Sequence, residues 1–291
     1  MRKIIMTAPA KINLMLDVTG RLENGYHTLD TVMQSISLCD TVEISRNSSR
    51  TVTVECTDKN IPCGESAEKN IAFKAAMAFY GCTGISGMGL HISIKKSIPS
   101  QAGLGGGSAD GAAVIAGMNI LYGTELSGDR LCDIGSKAGA DVPFCITGGT
   151  KICRGIGEII SHAPPLENCF IVVGNGGCGI STAEAYEKID RLELSERLNS
   201  LIYDGTVNSL KKTGGNIFET VTENKDVSKI KKICVDSGAV YSAMSGSGSA
   251  VFGLFRGQKE AVNCSLSLKK QKFFSEICKP LKNGVKPINI C

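Results

Sequence analysis

Residues 103–108 read Gly-Leu-Gly-Gly-Gly-Ser, between a strand-like run and an Ala-rich helical run. Glycine has no Cβ, so it accepts positive φ and lets a ligand approach the backbone closely. The first turn of a helix carries unpaired N–H groups and a partial positive charge, which together attract anions. A strand, a glycine loop and a helix start therefore predict a cradle for nucleotide phosphates. A branched side chain at Gly106 is expected to obstruct it. Glycines at 103, 105, 106 and 107, followed by Ser108 and Asp110, exceed what a tight turn requires. No Gly-Lys-[Ser/Thr] closes the loop and no GxGxxG register fits it, so it is neither a Walker loop nor a dinucleotide fingerprint.

Two further glycine clusters invite the same question. Gly174, Gly176 and Gly179 satisfy GxGxxG after the apolar run CFIVV. A dinucleotide fold then needs a strand ending in an acidic residue about 20 positions on. The chain there, RLELSERLNSLIYDG, is charged and helical in pattern. The third cluster, Ser245–Ser249, joins two strand-like runs and reads either as a flexible hairpin turn or as a second loop facing the same phosphates. Metal chemistry finds no support: the 13 cysteines include no CxxC pair, and the 3 histidines stand apart from them and from one another. A zinc site needs clustered ligands. A disulfide framework belongs to short secreted chains, so free thiols in a reducing cytoplasm are expected.

The elements that must position the loop can be read from periodicity. KINLMLDVTG, LDTVMQSISL with DTVEIS, and RTVTVEC are β-rich runs bounded by turn residues. EKNIAFKAAMAFYG places Ile71, Ala75, Ala76 and Phe79 at helical spacing, and GLHISIKKSI alternates like a half-buried strand. Behind the glycine loop, Ala109, Ala112, Ala113, Ala116 and Ile120 form a narrow stripe suited to close packing on a sheet. GDRLCDIGSKAG predicts another helix, ADVPFCITGGTKICRGIGEII two strands, and CFIVVG a buried strand. STAEAYEKIDRL, LSERLNSLIYDG, VNSLKKTGGNIFETV and DVSKIKKICVDSG read as helices. A hairpin, a further helix and a short strand then complete the chain. The shift from β-rich to helix-rich pattern between about residues 155 and 180 marks a boundary, and the mixture favours an α+β fold of two domains.

Composition agrees. The 291 residues are 42% hydrophobic and 21% charged, with 34 Gly and 8 Pro, which excludes disordered, collagen-like and coiled-coil chains. The net charge of +4 is too small to imply a polyanion partner. From Arg256 onward, basic residues outnumber acidic ones eight to two, and the rest of the chain is slightly acidic. Such a tail is either a nucleic-acid patch or a lysine-guarded edge strand, and its few aromatics and the lack of arginine after Arg256 favour the edge. No run approaches 18 apolar residues, and the start, MRKIIMTAPAK, has too short an apolar stretch for a signal peptide. A cytoplasmic protein without membrane partners is expected.

Six segments in order resemble the galactokinase, homoserine kinase, mevalonate kinase and phosphomevalonate kinase (GHMP) superfamily. They are APAKINLMLDVTGRLENGYHTLDTV (8–32), NIAFKAA (70–76), IPSQAGLGGGSADGAA (98–113), GADVPF (139–144), STAEAY (181–186) and MSGSGSAVFGLF (244–255). The GYH element and triple-glycine loop distinguish the chain from homoserine and mevalonate kinases. Two features depart from the pattern: GNGGCG replaces a proline before STAEAY, and Asp110-Gly111 replaces Asn-Ala. The resemblance implies a two-domain GHMP kinase. Residues 1–160 would form an N-terminal α/β domain like ribosomal protein S5 domain 2. Residues 161–291 would form a ferredoxin-like α+β domain, with the active site in the cleft. The implied reaction transfers the γ-phosphoryl of ATP, with Mg²⁺, to the 2-hydroxyl of 4-diphosphocytidyl-2-C-methyl-D-erythritol in the non-mevalonate isoprenoid pathway, by a monomer or weak homodimer. Alternatives are another small alcohol, such as mevalonate or homoserine, or a non-catalytic nucleic-acid-binding protein.

The same resemblance implies roles for individual residues. Asp141 matches the family's base and Lys11 its partner; a nearby ammonium favours an ionised carboxylate and can stabilise charge on an attacking oxygen. Pro99, Gly103, Leu104, Gly105, Gly106, Gly107 and Ser108 would hold ATP, with Asn70 and Lys96 near adenine. Tyr26 and His27 would meet cytosine by stacking and hydrogen bonding, Tyr186 would close the base from the other side, and Thr182 and Asn13 would hold sugar or erythritol hydroxyls. Metal ligands are unassigned, Ser108 being a candidate.

Overall fold

The computed structural model describes residues 3–85, 89–177, 179–192 and 202–290. β1 (Lys3–Arg21) and β2 (His27–Asn47) form a long antiparallel hairpin, with Lys11 opposite Ser35 and Arg21 opposite His27. The start of β1 alternates buried and half-buried residues, as a strand with one wet face must. From Ala8 to Val18 every residue is buried, because both faces are covered there. β4 (Gly89–Lys95) runs antiparallel to β2, and β3 (Val52–Cys56) lies parallel to β4 at the edge. β5 (Thr150–Arg154) also pairs with β2 and carries β6 (Ile159–His162). A second, antiparallel sheet has the order β10 (Phe274–Cys278), β7 (Phe170–Asn175), β9 (Val251–Phe255), β8 (Tyr241–Met244). The last strand, β11 (Lys286–Ile290), returns to pair with β1 and completes a seven-stranded first sheet. The basic tail thus supplies edge strands β10 and β11.

Helices α1 (Ile71–Thr83) and α2 (Gly106–Tyr122) pack on the first sheet. Ala109, Ala112 and Ala113 of α2 are wholly buried, whereas Ala116 and Ile120 are half-buried. A Cβ at Gly117 would stand 2.3 Å from Ile44 Cδ1, and one at Gly111 2.9 Å from Ile71 Cγ2. Small residues therefore let α2 approach both sheet and α1, which accounts for glycine at 111. On the second sheet, α7 (Lys225–Asp236) and α8 (Gln258–Lys270) bury Ile230 and Leu268 against Val172 and Phe255. α3 (Gly128–Ser136), α5 (Thr182–Ile189) and α6 (Val207–Thr213) complete the helices used below.

Two sequence expectations need correction. The run expected to begin with a strand at ADVPFCIT forms the short helix α4 (Val142–Thr147), with Pro143 in its first turn. A short apolar run does not separate a strand from a buried helix, and proline suits a helix start. In VNSLKKTGGNIFETV the helix stops at Thr213; Gly214 and Gly215 break it, and Ile217–Thr220 makes a 3-10 turn. The helix expected in LSERLNSLIYDG falls largely on residues 193–201, outside the described residues. Every described cysteine is a free thiol.

Candidate active site

β1 puts Lys11 and Asn13 on the same face, two residues apart, where the strand is buried on both sides. Their exposures are 5% and 2%, so the ammonium needs partners. Lys11 Nζ donates to Asn13 Oδ1 at 2.7 Å and lies 3.6 Å from Asp141 Oδ2. The orientation of the Asn13 amide is determined. Thr31 gives its hydroxyl hydrogen to the Met15 carbonyl (2.6 Å) and so accepts from Asn13 Nδ2 (2.9 Å). Oδ1 is left to receive Lys11 Nζ and the Gly246 N–H (2.9 Å). Asp141 stands at the N-cap position of α4, yet its side chain makes no capping hydrogen bond. Its carboxylate instead faces a cavity of about 560 Å³ lined also by Lys11, Asn13, Gly103, Ser108 and Tyr186.

The glycine loop bends at Gly103 (φ 76°) and Gly105 (φ 67°), the latter being the N-cap of α2. Both lie in the left-handed region that disfavours side chains. The expectation at Gly106 is corrected: that residue is the first of the helix and has no positive φ. A Cβ at Gly103 would fall 2.0 Å from the Ser245 carbonyl oxygen, and one at Gly105 2.8 Å from Lys11 Cγ. Here the third glycine cluster meets the first. Ser245 Oγ donates to the Gly103 carbonyl (2.9 Å) and accepts from Asn13 N–H (3.2 Å). Gly246, Ser247 and Gly248 line the same cavity, as do Thr182 and Tyr186. Thr182 and Ser247 share a hydroxyl contact at 3.0 Å.

A second cavity of about 540 Å³ adjoins, lined by Asn70, Lys96, Pro99, Leu104, Gly106 and Gly107 among others. Gly103, Gly105 and Ser108 border both, so the loop and the α2 N-terminus connect the two spaces. Asn70 caps α1, its Oδ1 accepting from Ala72 N–H at 2.9 Å while its Nδ2 donates to the Pro62 carbonyl. Lys96 is not a free lysine beside the pocket. Its ammonium lies between Asp40 and Asp110, 2.8 Å from the latter, with a side-chain exposure of 6%. Burial alone would lower its pKa, but the two carboxylates outweigh burial and raise it. Asp40 also accepts the Ser97 and Ile98 N–H groups, which suits an anion. Asp110 Oδ1 has no partner among the described residues, and burial pushes that carboxyl up to about 7. Burial thus makes Asp110 a weaker acid than an ordinary carboxyl, despite the Lys96 ammonium beside it.

At the other end of the first cavity, Tyr186 packs edge-on against Phe218, with ring centroids 5.0 Å apart. Burial, then the Asp141 charge, pushes the Tyr186 phenol up to about 12. Tyr26 is 61% exposed at the hairpin tip and lines neither cavity. The His27 ring stacks on Tyr186 (4.4 Å, 18°) and its Nε2 contacts Asp190. Eight expected residues thus meet around the first cavity and the remaining nucleotide residues around the second, leaving Tyr26 and His27 to its flank.

Sequence reasoning missed the brace of the third loop. Asn216 Nδ2 donates to the Met244 and Gly246 carbonyls, both at 2.8 Å, and Glu219 Oε1 accepts from Met244 N–H at 2.7 Å. Gly-Gly-Asn inside a supposed helix was the available signal, since such residues interrupt helices.

Known proteins resemble this chain in sequence and fold. Residues 70–149 match the GHMP kinases N terminal domain and residues 185–273 the GHMP kinases C terminal domain. A 4-diphosphocytidyl-2-C-methyl-D-erythritol kinase of Acetivibrio thermocellus is 41% identical over 280 residues, covering 94% of this chain and 97% of its own. One of Carboxydothermus hydrogenoformans is 39% identical, covering 93% and 95%. A crystal structure of 4-(cytidine 5'-diphospho)-2C-methyl-D-erythritol kinase superposes with a TM-score of 0.79 at 28% identity, covering 95% of this chain and 98% of that one. A homoserine kinase from Cytophaga hutchinsonii shares the fold, with a TM-score of 0.77 at 20% identity over 98% and 97% of the two chains.

Proposed function

We propose, from the premise that this chain belongs to the GHMP kinases and within them to the 4-diphosphocytidyl-2-C-methyl-D-erythritol kinases, that it transfers the γ-phosphoryl of ATP to the 2-hydroxyl of that cytidylated alcohol. The observation that carries the reading is the Lys11–Asp141 approach of 3.6 Å in a cavity bordered by the N-terminus of α2. Phosphoryl transfer asks a protein mainly for positioning and charge stabilisation, plus a base for the hydroxyl proton. Asp141, free of capping, accepts that proton. Lys11, oriented by Asn13, stabilises negative charge on the attacking oxygen. The N–H groups of Gly106, Gly107 and Ser108 lie in the first turn of α2 and hold the phosphates at the junction of the two cavities.

Mg²⁺ fits the donors present. Ser108 and Asp141 bring hard oxygen atoms to one cavity, and no group of three or more His, Cys, Asp or Glu suited to a metal exists among the described residues. Such sparse ligation suits an ion that takes most of its oxygens from phosphate and water. Ser108 would hold it, and when bound it would neutralise phosphate charge. The acceptor end is walled by Thr182, Tyr186 and Phe218. On this reading the cleft divides an N-terminal unit, residues 1–160, from a C-terminal unit, residues 161–291, although β6 (Ile159–His162) spans that boundary and the final strand crosses back to the first sheet. No described helix is long and apolar enough to cross a membrane.

The test is ADP release from ATP with and without 4-diphosphocytidyl-2-C-methyl-D-erythritol. Turnover should depend on that acceptor and fall sharply when the cytidine part is omitted. Equal turnover with homoserine or mevalonate, or none with any alcohol, removes the reading.

A further inference from the structure

Asp190 comes directly after α5 and reaches across to the turn end of the β1–β2 hairpin. Its Oδ2 lies 3.0 Å from Arg21 Nη1 and its Oδ1 2.7 Å from His27 Nε2. A carboxylate oxygen accepts, so Nε2 carries the hydrogen and the ring orientation is set from that side. The Arg21 side chain is 60% exposed, and a solvated pair of this kind holds little by itself. The His27 side chain is only 9% exposed and that of Asp190 29%, so the bond is covered on the histidine side and open to water on the carboxylate side. The ring is then clamped between that bond and the face of Tyr186, the residue that lines the cavity.

We propose that Asp190 is a positioning residue for the acceptor: through His27 it locks the hairpin carrying Gly25, Tyr26 and His27 onto α5 and fixes the orientation of Tyr186. This rests on the reading that the acceptor carries a cytidine. The aromatic wall comes from two distant parts of the chain, the hairpin and α5. Their relative placement sets how the Tyr186 ring is presented to the cavity. Without Asp190 the imidazole loses its fixed partner and turns freely, and Tyr186 loses the ring packed on its face. ATP contacts, which lie around the glycine loop, are untouched.

The experiment measures acceptor and ATP kinetics for wild type, Asp190→Ala and Asp190→Glu, with melting temperatures and imidazole proton NMR. Only 3 histidines are present, so the His27 Nε2–H signal is assignable. Expected for Asp190→Ala are an acceptor KM raised about tenfold, kcat and ATP KM within about twofold, and loss of the protected His27 signal. That pattern marks lost binding rather than lost chemistry. Asp190→Glu should recover part of both. An unchanged acceptor KM in an active Asp190→Ala overturns the proposal, as does a uniform fall in kcat, ATP affinity and melting temperature. Wild-type protein that leaves the cytidylated acceptor unphosphorylated overturns the function reading instead, and this inference with it.

Discussion

Lys11 Nζ lies 3.6 Å from Asp141 Oδ2, one on a strand buried on both faces and the other at the start of a six-residue helix. Asn13 sets the ammonium, and α4 sets the carboxylate by leaving it uncapped. The pair opens onto the junction where Gly103, Gly105 and Ser108 border both cavities.

Replacing the base should abolish chemistry and spare binding. Asp141→Asn is expected to lower kcat by at least about a hundredfold, the low end for a general base, with ATP affinity within a few-fold of wild type. Steady-state kinetics and nucleotide titration separate the two, and near-full turnover rules out the base role.

The contact between the first and third glycine loops can be probed by one methyl group. In Gly103→Ala, Cβ would meet the Ser245 carbonyl at 2.0 Å on top of a φ of 76°. Gly84 has a φ of 70° with nothing within 4 Å of a Cβ, so Gly84→Ala supplies the backbone strain without the clash. Strain of this kind costs about 1–3 kcal/mol. Gly103→Ala should therefore lose ATP affinity, by isothermal titration, while Gly84→Ala loses only stability. Equal ATP binding by both variants contradicts a cradle at Gly103.

Asn216→Ala leaves the Met244 and Gly246 carbonyls without their donor in a buried site. An orphaned buried polar group costs about 1–3 kcal/mol, readable as a lower urea midpoint. Turnover should fall as well, because Gly246 N–H fixes the Asn13 oxygen that holds Lys11. A destabilised variant with unaltered kcat would show that the brace serves the fold alone.

Asp110 makes stability depend on pH. Its carboxyl is raised by burial from 3.8 to about 7 in the folded protein, so the native state binds the extra proton. The resulting stability is complete below about pH 4 and is lost as pH rises through about 7. Asp110→Asn keeps a neutral group there, so its melting temperature should decline less than wild type between roughly pH 4 and pH 8, the span bracketing that loss. Parallel declines would argue against a proton on Asp110.

Much of the site was legible because it is local. The glycine loop needs only consecutive residues, and a helix start makes its own anion site wherever it folds. Asp141 and Lys11 came through a resemblance of short ordered motifs, and each motif carries its chemistry in a few adjacent positions. What a remote partner decides was not legible. Lys96 is placed near the nucleotide by its motif, and only the fold shows Asp40 and Asp110 enclosing its ammonium. His27 is placed at the acceptor by its motif, and only the fold shows Asp190 meeting its Nε2. ADVPFCIT has the apolar run of a strand, and only its seat beside α3 and α2 makes it a helix.

By itself the chain's order of residues determined which segments are strands or helices by periodicity, where the backbone can bend, and which family of chemistry is present. These depend on steric and hydrophobic preferences acting over a few neighbours. Tertiary structure decided which charges are paired, that burial raises the Asp110 carboxyl beside Lys96, and that β11 closes the first sheet. Pairing, burial and proton affinity depend on what lies within a few ångströms in space, and folding brings together groups that no local pattern relates.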